Sequence, residues 1–567
     1  SSGTFRTADV VGLDTMAHVI KTLQDTLSAD TDPFYGSFGT PPVLKKLIEL
    51  GQLGQKTKAG FYKKAGRDVL RFDLESEAYV PAGQKADEVY GRMLKKPAGE
   101  RLKLLRESEG PQGQFLWAIL RNGFHYAAVH LATIAESARD IDFAMRWGFG
   151  LKQGPFELWQ EAGWGQVAQW VKEDIDAGKT LSNAPLPDWV FKGPVAEAGG
   201  VHTPQGSWSA SEARFIPRRH LPVYDRQHFP ESVLGANAAD AKTAGKTLHE
   251  DDAIRLWTLD DEVLIASIKT KMHAISPDVA EGLALGVDMA EKDFKGLVVW
   301  SPDEMFSVGA DLQAMMPAFM VAGVSAIEGA EHELQNAMLK MRYAGVPTVS
   351  AIRGLALGGG CELAVYSAKR VVAMESYIGL VEVGVGLVPG AGGLAYIARR
   401  AAENAAASTN KDVLPFLTEG FTGAAMAKVG TSALESRKLG YVLDSDVIVP
   451  NKDELLYVAI NEAKAMFNAG YRPPHRRPFA VAGRNGIATI KGQLVNMRDG
   501  GFISAHDFHI ASLIAGVVCG GDIDAGTLVT EEYLMALERK AFCSLITHPK
   551  TQERIMGMMS TGKPVRN

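Results

Sequence analysis

The spacing of apolar positions changes partway along the chain. Over residues 9–27, Val10, Leu13, Met16, Ala17, Ile20 and Leu23 recur three and four positions apart, which predicts one amphipathic helix. The same period predicts helices over 42–50, 115–135 and 140–147. A basic, glycine-bounded loop, Gly54-Gln-Lys-Thr-Lys-Ala-Gly-Phe-Tyr62, comes after the second of these. Residues 65–112 mix a short strand-like run at 69–72 with charged helix, and Gly110-Pro-Gln-Gly113 closes them. Residues 217–246, rich in Pro, His, Ala and Asp, read as a linker or wrapping segment. From Ala253 short β-type runs take over, at 254–259, 263–268, 296–300, 346–352 and 370–374, with a helix at 276–292. Strands alternating with helices point to an α/β core. Residues 401–419, polar and alanine-rich, read as an insertion, and the remainder as mainly helical.

The helical part carries an internal repeat. Gly154-Pro-Phe-Glu-Leu-Trp-Gln-Glu-Ala-Gly163 shares the pattern Gly-x-Phe-x6-Gly with Gly3-Thr-Phe-Arg-Thr-Ala-Asp-Val-Val-Gly12. Thr203-Pro-Gln-Gly-Ser-Trp208 parallels Thr57-Lys-Ala-Gly-Phe-Tyr62 at a similar distance from each first glycine, which implies a duplicated helical unit. The second copy has a helix and an Asp140-Ile-Asp142 turn upstream, whereas the first has only two residues there. The first copy is therefore expected to lack its beginning. The start, Ser1-Ser-Gly-Thr-Phe-Arg-Thr7, has neither an initiating Met nor a signal-peptide pattern and reads as cut from a longer chain.

At 567 residues the chain exceeds one core, and roughly three or four domains is the expectation. Apolar content of 46% and charged content of 22% suit a soluble globular protein. A net charge of −6 gives no electrostatic footprint for nucleic acid. Cys361, Cys519 and Cys543 are too widely spaced for a disulfide framework or a metal-ligand cluster, so a reducing cytoplasm is the expected location. No apolar run reaches the roughly eighteen residues of a membrane helix.

Candidate chemistry concentrates in Gly354-Leu-Ala-Leu-Gly-Gly-Gly-Cys-Glu-Leu-Ala364 and Leu380-Val-Glu-Val-Gly-Val-Gly-Leu-Val-Pro-Gly-Ala-Gly-Gly393. Consecutive glycines at a strand-to-helix turn permit positive φ and let backbone N–H groups approach a ligand. Behind them sits Glu362, and the second stretch supplies Glu382. A buried turn with two surface glutamates would show the same glycines; the recurrence of the pattern favours acid/base work beside an oxyanion site. Phe306-Ser-Val-Gly-Ala-Asp-Leu312 offers a second set of amides at a strand end. Two N–H donors from separate loops suit a thioester oxygen as it gains negative charge. Cys361 has no basic neighbour in sequence and reads as a small packing residue.

The Gly-Ala-Asp-Leu, Leu-Gly-Gly-Gly-Cys-Glu-Leu-Ala and Glu-x-x-x-Gly-Leu-x-Pro-Gly-Ala-Gly-Gly series resembles the enoyl-CoA hydratase (crotonase) family over residues 254–567. That resemblance implies a spiral of ββα turns, commonly assembled as trimers. It implies an oxyanion hole from the amides of Ala310 and Gly359, Glu362 holding and deprotonating water, and Glu382 delivering a proton to C2. It also implies CoA contacts from Lys271, Met272, His273, Ala274, Asp311 and Leu312, although plain surface polarity would equally explain Lys271 and His273. Residues 401–419 fall where acyl-pocket walls and trimer contacts lie in that family. With both glutamates present, hydration of trans-2-enoyl-CoA to 3-hydroxyacyl-CoA is favoured. The alternatives are an enoyl-CoA isomerase, or a non-catalytic scaffold that docks a thiolase.

Gly3-Thr-Phe-Arg-Thr-Ala-Asp-Val-Val-Gly-Leu-Asp14 with Leu53-Gly-Gln-Lys-Thr-Lys-Ala-Gly-Phe-Tyr62 resembles the C-terminal helical domain of 3-hydroxyacyl-CoA dehydrogenases. The copy around Gly154 resembles the second such domain of multifunctional β-oxidation enzymes. The expected fold is mixed: duplicated all-α dehydrogenase C-terminal domains, then an α/β crotonase domain. The expected boundaries are 1–64, a connecting segment 65–112, 113–230, a linker 231–253, and 254–567 with its helical extension. No strand–Gly-x-Gly-x-x-Gly–helix unit occurs in the first 250 residues, so NAD binding is expected of a longer parent and not of this chain. His18, His125 and His130 sit on helical patterns and read as packing or surface residues. An acyl-CoA is the expected ligand, without metal or nucleic acid, and a thiolase or further copies of the chain are the partners the resemblance allows.

Overall fold

A computed structural model describes residues 3–66, 68–83, 85–230, 234–235, 240–310, 319 and 321–567. The chain divides into two units, one spanning 1–220 with 232–238 and the other 221–231 with 239–567. Among the described residues no helix is long and apolar enough to cross a membrane.

The first unit shows what the repeated Gly-x-Phe-x6-Gly pattern encodes. Gly12, at φ +108°, splits the single helix predicted over 9–27 into Thr4–Val11 and Leu13–Thr26. A residue in that conformation cannot continue a right-handed helix, and only glycine adopts it without strain. The apolar face breaks with it: Val10 is exposed while Leu13 is buried. In the second copy Gly163, at φ +102°, separates Pro155–Glu161 from Trp164–Asp176 in the same way. A three-stranded antiparallel sheet comes after each pair, within residues 62–81 and 202–216. Asp9 pins the first sheet by accepting from the amides of Phe61 at 2.7 Å and Tyr62 at 2.8 Å. The buried Asp142 accepts from Phe156 and Glu157 at a helix start and from the His202 ring at 2.7 Å.

Each copy has its own core. Leu13, Leu44, Leu47 and Phe72 form the first; Trp117, Phe124, Phe156, Trp159 and Trp164 lead the second, with Trp159 and Trp164 stacked 4.4 Å apart. Residues 65–112 are shared out between them, Phe72 going to the first core and Tyr90, Leu102 and Leu105 to the second. The predicted long helices run over Pro111–Ile134 and Ala138–Phe149, the latter begun by a Ser137–Asp140 capping box. His125 and His130 are buried in this unit and His18 is exposed.

The second unit is built on a seven-stranded sheet whose strands lie side by side in chain order. They are β1 (Lys246–Glu250), β2 (Ile254–Thr258), β3 (Leu264–Ile268), β4 (Leu297–Val299), β5 (Thr348–Leu357), β6 (Lys369–Gly379) and β7 (Val447–Val449). The first two pairings are antiparallel and the other four parallel. Parallel strands are covered on both faces, which is why β3 to β6 read as continuous apolar runs. One face packs on α1 (Pro277–Asp293), α2 (Val324–Arg342) and α3 (Gly359–Tyr366), and the other on the helix Leu455–Asn468. Strand β5 is longer than predicted: Gly354 to Leu357 are still strand, and the glycine turn begins only at Gly358.

The stretch read as an insertion at 401–419 is instead the end of α4 (Gly393–Ala407) and the start of α5 (Leu414–Ala425). Ala401, Ala402, Ala405 and Leu417 are buried there, so the alanines allow close helix packing within the main core. Helices α6 (Glu531–Ile546) and α7 (Pro549–Thr561) complete the unit.

A buried ion pair ties β6 to the approach of β7. Asp446 accepts from the Arg370 amide at 3.0 Å, its guanidinium at 2.6 Å and the Leu443 amide at 2.6 Å. Asp446→Ala leaves a buried guanidinium uncompensated and is expected to cost about 3–5 kcal/mol. A clear drop in the urea midpoint of the folded chain checks this, and a wild-type midpoint would contradict it.

Candidate active site

The site begins where β5 ends. Gly358 turns the chain at φ +54°, and α3 starts at Gly359. Beside this turn runs 306–310, where the amides of Phe306 and Ser307 both donate to Leu355 O and Leu357 N donates back to Ser307 O. Two glycines allow the approach. A Cβ on Gly309 would stand 2.7 Å from Gly359 N, and one on Gly360 would stand 2.5 Å from Ser307 O. The amides of Ala310 and Gly359 are thereby neighbours: a methyl on Gly359 would lie 3.4 Å from Ala310 N. Neither amide has an acceptor among the described residues. Gly359 opens a helix, whose first N–H groups lack intrahelical partners and carry the positive end of its dipole.

Glu362 lies one turn into α3 and is buried. Its Oε1 accepts from Ala391 N at 2.9 Å and Gly393 N at 2.7 Å. Burial pushes its carboxyl up to about 7, against the pull of those two amides. Glu382 stands after β6 on a single 3-10 turn, Glu382–Val385, and reaches toward Gly358, where an added Cβ would meet Glu382 Oε1 at 3.1 Å. Its Oε2 is buried with no hydrogen-bond partner among the described residues. Burial, and then the charge of Glu362, hold this carboxyl well above the ordinary range. Helix α7 clamps the turn: Thr551 Oγ1 donates to Gly386 O at 2.7 Å and Arg554 Nη1 to Val383 O at 3.0 Å. The structure therefore brings Ala310, Gly359, Glu362 and Glu382 together.

The 271–275 segment lies beside them through Ile275 N to Gly309 O at 2.8 Å and Val308 N to Met272 O at 3.4 Å. Lys271 and Met272 are exposed, whereas His273 and Ala274 are buried. His273 is not a surface group. Its Nδ1 faces Met305 O at 2.9 Å and its Nε2 faces Asp303 at 3.1 Å, so both nitrogens anchor the loop and neither is left to a ligand. Asp311 and Leu312 lie outside the described residues. Cys361 is fully buried, and burial pushes its thiol well up, as expected of a packing residue. Among the described residues no group of three or more His, Cys, Asp or Glu could hold a metal ion.

Two further acids reach this region and were not singled out in the sequence. Glu538 of α6 is fully buried and accepts from Gly392 N at 2.6 Å, Leu394 N at 3.1 Å and Ala395 N at 3.2 Å. Glu331 of α2 is buried beside Gly390. Helical spacing carried the signal: Glu331 shares a stripe with Ile327, Leu334 and Met338, and Glu538 with Leu534, Ala541 and Leu545, all buried.

Residues 264–416 match the family model for enoyl-CoA hydratase/isomerase, and residues 1–64 match that for the 3-hydroxyacyl-CoA dehydrogenase C-terminal domain. A probable 3-hydroxyacyl-CoA dehydrogenase of Bacillus subtilis (strain 168) is 34% identical over 591 residues, covering 100% of this chain and 69% of that protein. The chain belongs to this 3-hydroxyacyl-CoA dehydrogenase family. A fatty acid oxidation complex subunit alpha of Pseudomonas syringae pv. tomato is 31% identical over 157 residues, 27% of this chain and 22% of that one. Among solved structures, an enoyl-CoA hydratase from Bacillus halodurans aligns with a TM-score of 0.37 and 14% identity, over 54% of this chain and 99% of that chain. The helical and crotonase-type parts of the fold are those the two family models describe.

A carboxyl raised to about 7 keeps its proton through the mildly acid range and loses it near neutrality. Infrared difference spectra between about pH 6 and about pH 8 are expected to show a protonated carboxyl disappearing, a change absent from Glu362→Gln. Glu362 titrating in the ordinary carboxylate range would contradict the assignment.

Proposed function

We propose that the second unit adds water across the double bond of a trans-2-enoyl-CoA, giving the 3-hydroxyacyl-CoA of fatty-acid β-oxidation. The observation that carries this reading is the unequal treatment of two neighbouring glutamates. Glu362 is held by two amides, while Glu382 has a buried, partnerless oxygen, and both lie beside the acceptor-free amides of Ala310 and Gly359.

The thioester oxygen takes hydrogen bonds from Ala310 N and Gly359 N. Glu362 removes a proton from water as the water oxygen bonds to C3. The electron pair of the double bond shifts toward the thioester, and its charge collects on the oxygen held by the two amides. Each such donor is worth about 3 kcal/mol of barrier. Glu382, kept neutral by burial and by the charge of Glu362, gives its proton to C2. The proton taken from water then returns from Glu362 to Glu382 and resets the pair.

Double-bond migration is the second reading, and it needs only one carboxyl to carry a proton between carbons. The paired acids and the absence of any need for a second one in that reaction favour hydration. Crotonyl-CoA is expected to lose its conjugated-thioester absorbance in the presence of the chain. Glu362→Gln and Glu382→Gln should each lower kcat by about a hundredfold to ten-thousandfold with little change in KM. Unchanged turnover in either variant overturns these roles. A 3-enoyl-CoA that gains the same absorbance, with no hydration of crotonyl-CoA, would select the isomerase instead.

The product belongs to the substrate class that gives the family its name, and we propose that an NAD-dependent oxidation of it comes next in β-oxidation. The described residues of the first unit do not fit a dinucleotide: both of their sheets are small and antiparallel, whereas such a site needs parallel strands joined through a glycine loop and a helix. NAD titrated into this chain should therefore give no saturable signal, and micromolar binding would refute that statement.

A further inference from the structure

We propose that Glu331 is a positioning residue for this reaction: its carboxyl, packed against the back of the 390–393 loop, sets how the Glu362–Glu382 pair holds its proton. The inference rests on the reading of that pair as base and acid.

Glu331 occupies the apolar stripe of α2 and is only 3% exposed. Its Oε2 is buried and accepts no hydrogen bond from any described residue. The space it fills exists because residue 390 is glycine: a Cβ there would lie 2.2 Å from Glu331 Oε2. One turn further along α2, Gln335 Nε2 donates to Gly390 O at 2.7 Å and to Met535 O at 3.1 Å, fixing the helix on the loop. In that loop the amides of Ala391 and Gly393 hold Glu362, and the amide of Gly392 between them holds Glu538. A carboxyl oxygen with no hydrogen-bond partner among the described residues thus sits across one stretch of backbone from the base.

The titratable and charged groups around it come from every packed element. Glu362 faces it from α3, Glu382 from the turn after β6, and Glu538, Arg539 and Cys543 from α6, with Glu328 on its own helix acting on the same Cys543. Arg539 is the cation of the group, and its guanidinium is also engaged by Gln335 Oε1. Four buried carboxyls, with Arg539 acting on Glu331 of the four, cannot all ionise, so their protons are held by the group as a whole. Burial, and then the charge of Glu362, raise Glu331 to about 8, while Arg539 works against this. At neutral pH Glu331 is consequently mostly an uncharged acid, while Glu362 is the group that loses its proton there and supplies the negative charge the base needs. Once Glu331 ionises, its charge raises the proton affinity of Glu382 and opposes the negative charge developing on the thioester.

The test is the pH profile of kcat/KM for crotonyl-CoA, from about pH 6 to about pH 10, in wild type and Glu331→Gln. Wild type is expected to fall about tenfold per pH unit above about pH 8, and the variant to stay level past that point. A level wild-type profile, or a variant with the wild-type limb, overturns the inference while leaving the hydratase reading in place. Failure of wild type to hydrate crotonyl-CoA overturns both. If Glu331→Gln does not fold, Gly390→Ala serves, since its methyl must displace the Glu331 carboxyl. A limb unmoved in the folded Gly390→Ala protein counts against the inference, and a shifted one supports it.

Discussion

The second unit depends on taking carboxylates out of water without pairing each to a cation. Glu331, Glu362, Glu382 and Glu538 approach one another from three helices and a turn. An isolated buried carboxylate is strongly disfavoured unless hydrogen bonds or a proton compensate it. The 391–395 backbone supplies the hydrogen bonds, two amides to Glu362 and three to Glu538. Glu331 and Glu382 each keep an oxygen with no hydrogen-bond partner among the described residues, and a proton neutralises such a group. The site therefore carries transferable protons near neutral pH because of how its hydrogen bonds are distributed.

That distribution requires backbone where side chains would ordinarily stand. Gly309 and Gly360 let two segments touch, so that the amides of Ala310 and Gly359 share one small volume. Gly390 leaves room for the Glu331 carboxyl, and a Cβ on Gly393 would come within 2.9 Å of Glu362 Oε1. The parallel sheet supplies rigidity on one side, and Thr551 and Arg554, both fully buried, hold the Glu382 turn on the other. Preorganised donors of this kind need no rearrangement as charge develops, which is the source of their effect on rate.

Much of this was legible because it is local. The glycine runs, Glu362 and Glu382 stand within forty residues of one another, and the strand-to-helix turn they mark is where the structure places it. The duplicated Gly-x-Phe-x6-Gly pattern likewise announced two equivalent helix pairs, although the break at Gly12 was hidden by an apolar period that runs through it. Glu331 and Glu538 were not legible as a pair. They lie 207 positions apart and meet only through the packing of α2 and α6 against the 390–395 loop, so spacing alone showed each as an acid in an apolar stripe. The setting of His273 was not legible either: the family resemblance placed it in the CoA-contacting loop, whereas its burial and the engagement of both ring nitrogens by Met305 and Asp303 arise from tertiary contacts. The alanine-rich 401–419 stretch read as an insertion because alanine gives a weak periodic signal, although small side chains are what close helix packing requires.

The two glutamates of the pair also differ in a way that orders the roles proposed for them. A carboxylate receiving two amide hydrogen bonds is stabilised in its charged form, so Glu362 is the one able to wait as a base. Glu382 lacks such donors on Oε2 and is pushed up further by the charge of Glu362, so the same interaction that readies the base keeps the acid protonated. Exchanging the roles would put the negative charge on the group with fewer donors and leave two amides donating to a neutral acid, which accepts more weakly than a carboxylate. In the proposed hydration a negative charge added nearby weakens both halves of the arrangement, because it raises the affinity of Glu382 for its proton and disfavours the enolate assigned to the Ala310 and Gly359 amides. The number of charges admitted to this interior is thus as much a part of the chemistry as the positions of the atoms.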